Sequence, residues 1–276
     1  MDWRLHYPGA PDNGVKLLTR IIKRELPKRE RKYPLEMVVA AILYRVSNGC
    51  KWRALDRPGV MPWKNVYDYF RNWTSKCIWQ KANALMVRIE RRRQNQTNPH
   101  ESRSEPAVIV VDAQLAKSRV RGKRQVLGYD GFKKIKGIAR HVATDVRGHV
   151  LACACSAANA HESQWLKEVL IAVKDAGFSR ACLVTADGGY QGMEAASLIE
   201  GFELSVVKRS DLDGRKNKDK PNTFKPLPQR WVIERTFGYQ MFSRIVACCY
   251  ERLTECSEAN VLLAHIRVLL RRWEKL

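Results

Sequence analysis

The sequence predicts an α/β protein in which a mixed sheet is flanked by helices, preceded by an all-helical N-terminal module. Three observations support this fold class. Apolar residues recur at helical spacing through the first third of the 276-residue chain. A polar segment at 91–106 interrupts that pattern. Beyond it, short β-branched runs alternate with amphipathic helices, which is the pattern of a mixed α/β layer.

The N-terminal module is predicted to contain three helices. In the first, Leu35, Val38 and Ile42 share one face, and Gly49 follows as the expected C-terminal cap. The second and third helices are predicted over 63–73 and 78–89. Most of their aromatic residues are expected to form the core of the module. Short helices with basic faces are typical of DNA-binding modules, and the exposed candidates lie in the turn after the first helix: Lys51, Trp52 and Arg53.

The module is predicted to span residues 1–93, and residues 94–106 are interpreted as a linker. They are rich in Gln, Asn, Thr, Ser and Glu and have almost no apolar content. The second domain, 107–276, is predicted to have strands at 107–111, 136–145, 149–156, 182–185 and 204–207, and helices at 165–176, 229–244 and 257–273. A hairpin turn at Asp145–Gly148 joins the second and third strands.

The charge of the chain indicates a polyanionic partner. Lys plus Arg number 50 and Asp plus Glu number 28, which gives a net charge of +22. The excess is spread over the whole sequence, as expected for an extended nucleic-acid footprint. A basic protein without such a partner is the alternative. No run approaches the roughly 18 apolar residues of a membrane span, so no membrane contact is expected. Eight scattered cysteines without a CxxC pattern favour reduced thiols in the cytoplasm.

Three carboxylates form the candidate catalytic site. Asp112 ends the run Val108–Val111, and Asp187 follows the run Leu183-Val184-Thr185-Ala186. Side chains at strand ends leave the packed core and remain rigidly held. Glu234 lies on a predicted helix. Capping of a turn would explain either aspartate alone. Three converging carboxylates would repel one another without a cation, whereas two Mg²⁺ or Mn²⁺ ions would turn them into a phosphoryl-transfer site.

Several segments in the same order resemble a known family. They are 48–53, 63–70, 111–114, 136–145, 186–192 and 230–237, which include Val111-Asp112-Ala113-Gln114, Ala186-Asp187-Gly188-Gly189-Tyr190 and Arg230-Trp231-Val232-Ile233-Glu234-Arg235. Taken together they are similar to bacterial insertion-sequence transposases of the DDE type, in the insertion-sequence family five group. The matching segments run from about Val38 to Trp273 and so cover most of the chain.

The resemblance implies an RNase H-like catalytic core with Asp112, Asp187 and Glu234 as the DDE triad. It also implies metal-dependent cleavage at the ends of the protein's own element, followed by strand transfer into target DNA. The partners would be double-stranded DNA, as terminal inverted repeats and target site, and a second transposase subunit in a homodimer. The sequence departs from the family pattern at Leu227 and Met241, where relatives often carry Tyr and a basic residue. Glu162 stands where relatives often carry Asp.

Basic residues near the triad are candidate DNA contacts. The segment 117–140 follows Asp112 and holds nine basic residues against one acidic residue, so it favours contact with the DNA backbone over a merely solvated hairpin. Arg230 and Arg235 would steady scissile phosphates, and Arg244 would partly replace the lost basic group. Asp145 is left out of the triad because turn formation explains it equally well. The DNA-binding candidates in this region are Lys117, Lys133, Lys134, Lys136, Arg140, His141, Arg230, Arg235 and Arg244.

The leading interpretation is a DNA transposase that uses two Mg²⁺ or Mn²⁺ ions, located in the bacterial cytoplasm and associated with the nucleoid. Two alternatives stay open. One is a catalytically silent relative that binds DNA as a regulator, which the presence of all three carboxylates disfavours. The other is a nuclease of the same fold without transposition, which strand transfer into target DNA would distinguish.

Overall fold

The computed structural model describes residues 2–9, 12–28, 30–57, 59–97, 104–119, 126–190, 201–206 and 228–274. Four helices form the N-terminal part: α1 (Asp12–Arg24), α2 (Leu35–Asn48), α3 (Trp63–Ser75) and α4 (Ile78–Thr97). The predicted cap of α2 is confirmed, because Gly49 adopts a left-handed φ of 63° and its N–H bonds to the carbonyl of Arg45. An N-terminal helical segment is therefore present.

The C-terminal part is built on a six-stranded mixed sheet. Its strands are β1 (Val108–Lys117), β2 (Gly128–Asp130), β3 (Ile135–Asp145), β4 (Val150–Ala157), β5 (Leu183–Ala186) and β6 (Glu203–Val206). The order is β2-β3-β1-β5-β6, and β4 pairs with β3. Strand β1 runs antiparallel to β3 and parallel to β5, and β5 is parallel to β6. Three helices accompany it: α5 (Leu166–Asp175), α6 (Pro228–Met241) and α7 (Thr254–Glu274).

Helix α7 joins the two parts of the molecule into one core. It packs against β4 and also contacts all four N-terminal helices. Its buried residues cover almost the whole circumference, from Cys256 to Leu270, which is the pattern of a central helix rather than a surface helix. The buried apolar side chains of the helical part and the sheet belong to a single cluster. The sheet and the N-terminal helices therefore stabilise one another directly.

The structure differs from the sequence prediction in four places. Helix α1 and the three-residue strand β2 were not predicted. Helix α4 continues to Thr97, so the first residues of the predicted linker are helical. Strand β1 continues to Lys117, and Asp112 lies inside it rather than at its end, because the antiparallel ladder with β3 continues past Asp112. Leu227 and the motif residues 191–192 lie outside the described residues, whereas Met241 is the last residue of α6.

The structure shows the environment of the cysteines and the apolar length of the helices. None of the eight cysteines, all of which lie in the described part of the chain, forms a disulfide bond, and four of them are buried. Among the described residues, no helix is long and apolar enough to cross a membrane.

Candidate active site

The register of the sheet brings Asp112 and Asp187 to adjacent positions. Parallel pairing of β1 with β5 ends with Val110 opposite Thr185. Asp112 lies two residues further along β1, and Asp187 lies two residues after Thr185, directly after the end of β5. Parallel strands lie about 4.8 Å apart, and residues two apart point to the same face. The two carboxylates therefore lie beside each other where the parallel pairing ends.

Asp112 is the more buried of the two, with only 8% of its surface exposed. One carboxylate oxygen accepts a hydrogen bond of 2.8 Å from the N–H of Ala113. Burial raises the pKa of Asp112 to about 6, and the charges of Asp187 and Glu162 act in the same direction. A carboxylate that is buried beside other carboxylates favours the approach of a cation, because a cation relieves the repulsion.

Arg230 links Asp187 to Glu234. Its Nη1 lies 3.2 Å from Oδ2 of Asp187, and its Nε lies 3.0 Å from Oε1 of Glu234 one helical turn away on α6. Asp187 also accepts a hydrogen bond of 2.9 Å from the N–H of Gly189, which orients its other oxygen. The side chain of Glu234 is 48% exposed. Glu234 on α6 is therefore linked to Asp187 through Arg230 and does not contact the aspartate directly.

Two further residues belong to this site, although the sequence did not place them there. Glu162, in the 3₁₀ turn Glu162–Trp165 after β4, has a pKa raised by burial and by the charge of Asp187. Tyr190, in the turn Gly188–Tyr190, is fully buried, and burial raises its pKa, with Glu162, Asp112 and Asp187 contributing. The one signal for Glu162 in the sequence was an acid where the resembling family often carries aspartate. Tyr190 gave no signal of its own.

The residues of the site suit a hard divalent cation. Carboxylate oxygens are the ligands that Mg²⁺ and Mn²⁺ prefer. The negative charge at Asp112, Asp187 and Glu162 is balanced only in part by cations of the described residues: the Arg230 guanidinium lies 3.2 Å from Asp187, and Lys133 acts on Glu162 at longer range. Among the described residues, no three acidic, histidine or cysteine side chains are close enough to enclose one ion together. Full coordination would therefore require the carboxylates to move closer together.

A cleft of about 440 Å³ connects this site to the β2–β3 hairpin. Its walls include Glu162 and Gly189 on the side of the carboxylates, and Tyr129, Phe132 and Lys133 on the side of the hairpin. Phe132 is 94% exposed at the tip of the hairpin. Lys117, at the end of β1, and three hairpin lysines, Lys133, Lys134 and Lys136, are also exposed. A basic and aromatic surface therefore lies directly beside the carboxylates.

Two of the predicted DNA contacts are buried, and those predictions are wrong. Arg140 is 3% exposed, and its guanidinium donates hydrogen bonds to the carbonyls of Val246 and Cys248. His141 is fully buried, with its ring stacked on Trp165 and its Nε2 2.8 Å from the hydroxyl of Ser156. Burial lowers the pKa of His141 to about 4, so the ring is neutral at physiological pH. Both side chains hold β3 to its neighbours and do not reach solvent.

The other predicted contacts remain at or near the surface. Lys51 and Arg53 are exposed, whereas the ring of Trp52 is half-buried and packs against Tyr67, Phe70 and the guanidinium of Arg45. Arg235 is half-buried: its guanidinium lies 4.5 Å from the ring centre of Trp231 and donates a hydrogen bond to the carbonyl of Arg147. Arg244 is exposed, and the backbone beside it packs closely on Gly49.

Asp145 is structural, which supports leaving it out of the triad. It is fully buried and forms an ion pair with Arg91 of α4. Its carboxylate also lies 2.9 Å from Nδ1 of His149 and accepts hydrogen bonds from the N–H groups of Arg147 and His149. These partners close the turn between β3 and β4 and attach it to the helical part of the molecule.

Two family models match the chain. A model described as the transposase DDE domain matches residues 103–269, which is more than half of the chain. A second model, described as a transposase of the IS4/5 family, matches residues 15–83 in the N-terminal helices. No curated protein and no solved structure matches the chain.

Proposed function

The chain belongs to the DDE transposases of the IS4/5 family, and from this premise we propose that it binds the terminal inverted repeats of its own insertion sequence and transfers the cut strands into target DNA. Family membership makes the protein a DNA transposase that depends on divalent metal ions, and it implies an RNase H-like fold for the sheet domain. The binding of repeats, the number of ions and the residues assigned below are parts of the proposal.

The observation that carries the proposal is the sheet register that places Asp112 beside Asp187. Both would hold the ions, and Glu234 would complete the coordination of the second ion. Two bound Mg²⁺ or Mn²⁺ ions would activate water or a 3′-hydroxyl and stabilise the leaving oxygen. Arg230, which lies between Asp187 and Glu234, would turn to a scissile phosphate once a cation neutralises those carboxylates.

The exposed lysines support a DNA path that leads to the carboxylates. Lys117, Lys133, Lys134 and Lys136 would contact backbone phosphates beside the cleft, and Arg235 and Arg244 would extend that path along α6 and the turn that follows it. The N-terminal helices, with Lys51 and Arg53 exposed after α2, would hold the terminal repeats. Two copies of the chain would form a homodimer that pairs two DNA ends.

The test is cleavage and joining of a labelled duplex that carries the flanking ends of the element, with Mg²⁺ or with EDTA. The wild-type protein should nick the ends and form joined product only with the metal. Asp187→Asn should lower the nicking rate at least about 100-fold, because a metal ion contributes several kcal/mol to the stability of the transition state. Asp175→Asn, which changes an exposed aspartate at the end of α5, is the matched control.

Three results would contradict the proposal. Wild-type nicking by the Asp187→Asn protein would exclude the assignment of that residue. Tight binding of the ends without nicking in Mg²⁺ or Mn²⁺ would favour a silent DNA-binding protein. Nicking without joined product would favour a nuclease of the same fold.

A further inference from the structure

Glu162 is held in place by its own turn. His161 precedes it as the N-terminal cap of the 3₁₀ turn, and Nδ1 of His161 accepts a hydrogen bond from the N–H of Ser163. The same nitrogen lies 2.6 Å from the hydroxyl of Ser163. The turn follows β4 closely, so the position of the Glu162 backbone is determined by the sheet.

The side chain of Glu162 faces Asp187 across Gly189. A methyl group added to Gly189 would lie 3.0 Å from Oδ1 of Asp187 and 3.5 Å from Oε2 of Glu162. The two carboxylate oxygens are therefore separated by no more than the sum of these distances. A glycine at this position leaves the space between them open, and any larger residue would partly fill it.

Tyr190 provides a second, independent observation. Its side chain is fully buried, and among the described residues its hydroxyl has no hydrogen-bond partner. The charges of Glu162, Asp112 and Asp187 all act on this hydroxyl. A buried hydroxyl without a partner is unfavourable, and a water molecule or an ion with its bound water at this place would satisfy it.

The negative charge of Glu162 has less compensation from nearby cations than the charge of Glu234. Glu234 is paired with Arg230, whereas no cation lies within ion-pair distance of Glu162 in the described part of the chain. Lys133 and Arg230 act on Glu162 only at longer range. Glu162 is a half-buried carboxylate without a close cation, and it lies beside the buried Asp112 and the partly buried Asp187. A nearby positive charge would stabilise the ionised form of all three carboxylates.

We propose that Glu162 is a fourth carboxylate of the divalent-cation site, and that it holds the ion together with Asp112 and Asp187. This inference rests on the proposed function, since it assigns a residue to the same metal site. Its basis is the open space at Gly189 between two carboxylates and the unpaired hydroxyl of Tyr190 beside them. Glutamate oxygen is a suitable ligand for Mg²⁺ and Mn²⁺.

The test is the binding of Mn²⁺ to the DNA-free full-length protein, measured by electron paramagnetic resonance of free Mn²⁺. Glu162→Gln keeps the size of the side chain and removes its charge, and it should weaken Mn²⁺ binding at least about tenfold. Glu168→Gln, which changes an exposed glutamate on α5, should bind as the wild type does. Circular dichroism and thermal unfolding in EDTA check that each variant folds. Glu162→Ala is the second variant and should weaken binding to a similar degree.

The outcomes distinguish this inference from the proposed function. If Glu162→Gln and Glu162→Ala bind Mn²⁺ as tightly as the wild type while Asp187→Asn loses binding, the role of Glu162 is excluded and the proposed metal site stands. If the wild-type protein binds no Mn²⁺ up to millimolar concentrations, the proposed site fails, and the role of Glu162 fails with it. If both Glu162 variants bind Mn²⁺ more weakly than the wild type and Glu168→Gln binds as the wild type does, the inference is supported.

Discussion

Two buried aspartates of the sheet have opposite electrostatic environments. Asp145 has Arg91, His149 and two backbone N–H groups around it, and these partners hold its pKa far below the ordinary value despite burial. Asp112 has one N–H group and two neighbouring carboxylates, and burial raises its pKa to about 6. The first arrangement is complete within the described residues, and the second leaves negative charge that the proposed cation would neutralise. Local partners, rather than burial alone, therefore give two buried carboxylates of one sheet opposite pKa shifts.

Asp145→Asn should lower the free energy of unfolding by about 3–5 kcal/mol, because it leaves the buried guanidinium of Arg91 without its counterion. Urea denaturation followed by circular dichroism measures this difference. Asp175→Asn, at an exposed position, should change it by less than about 0.5 kcal/mol. A loss below about 1 kcal/mol for Asp145→Asn would show that the ion pair with Arg91 is not the main source of stability there.

At this scale the sequence identifies the carboxylates but not the role of each basic residue. Asp112 and Asp187 follow apolar runs, which marks them as candidates at strand ends, and the parallel pairing of β1 with β5 brings them beside each other. Arg140 and His141 lie on β3, and their burial depends on Trp165 and on the backbone of Val246 and Cys248, which are distant in sequence. The basic segment 117–140 includes an exposed hairpin and the buried part of β3. Without those tertiary contacts, the sequence does not show which of its basic side chains are exposed and which are buried.

Helix α7 carries a partly buried acid, Glu258, that connects it to the sheet. The Oε1 atom of Glu258 accepts a hydrogen bond of 2.9 Å from the N–H of Cys155 in β4. Burial raises the pKa of Glu258 from its ordinary value of 4.5 to about 7. Because the folded state binds the proton more tightly than the unfolded state, the contribution of Glu258 to stability is fully present below pH 4.5 and is lost as the pH rises through about 7.

Glu258→Gln should therefore make the protein more stable than the wild type at pH 8, by about 1–3 kcal/mol, and should change stability little at pH 5. The neutral amide keeps an oxygen acceptor for the N–H of Cys155 and avoids burying a charge. Urea unfolding at the two pH values measures the effect. Equal stability of the two proteins at pH 8 would mean that Glu258 ionises without cost in the folded state.

Most helices and strands of the described chain are predicted from the hydrophobic pattern of the sequence. The errors concern short or N-terminal elements. The strands β3 and β4 and the helix α7 begin and end within a few residues of their predicted limits. Helix α1 was missed although Val15, Leu18 and Ile22 have helical spacing. Strand β2 has only three residues, none of them buried, so it shows no apolar alternation in the sequence. It is recognised as a strand by its pairing with β3.

The charge of the whole molecule governs its association with DNA. With a net charge of +22, non-specific binding should be strong at low salt and should weaken steeply as salt displaces the lysines and arginines from phosphates. Lys133 of the β2–β3 hairpin lines the cleft beside the carboxylates, and Arg230 contacts two of them directly. Binding strength and cleavage position are thus expected to depend on overlapping sets of residues.

Lys134→Asn should weaken binding to duplex DNA and reduce the slope of log K against log salt concentration by about 1, the value for one lost phosphate contact. Asparagine suits this position because Lys134 has a positive φ of 53°, which asparagine tolerates better than most residues. Fluorescence anisotropy over a range of salt concentrations measures the slope. Lys167→Gln, on α5, is the control, and an equal change in both variants would argue against a local contact by the hairpin.

The central position of α7 has a consequence for synthesis on the ribosome. The apolar faces of the N-terminal helices and of β4 are covered by a helix that ends at Glu274. During translation those faces emerge long before the segment that covers them, so the nascent chain remains partly uncovered until α7 has left the exit tunnel. A message that is cut short before α7 should therefore yield a chain that proteases and chaperones recognise, rather than a truncated protein able to occupy the ends of the element.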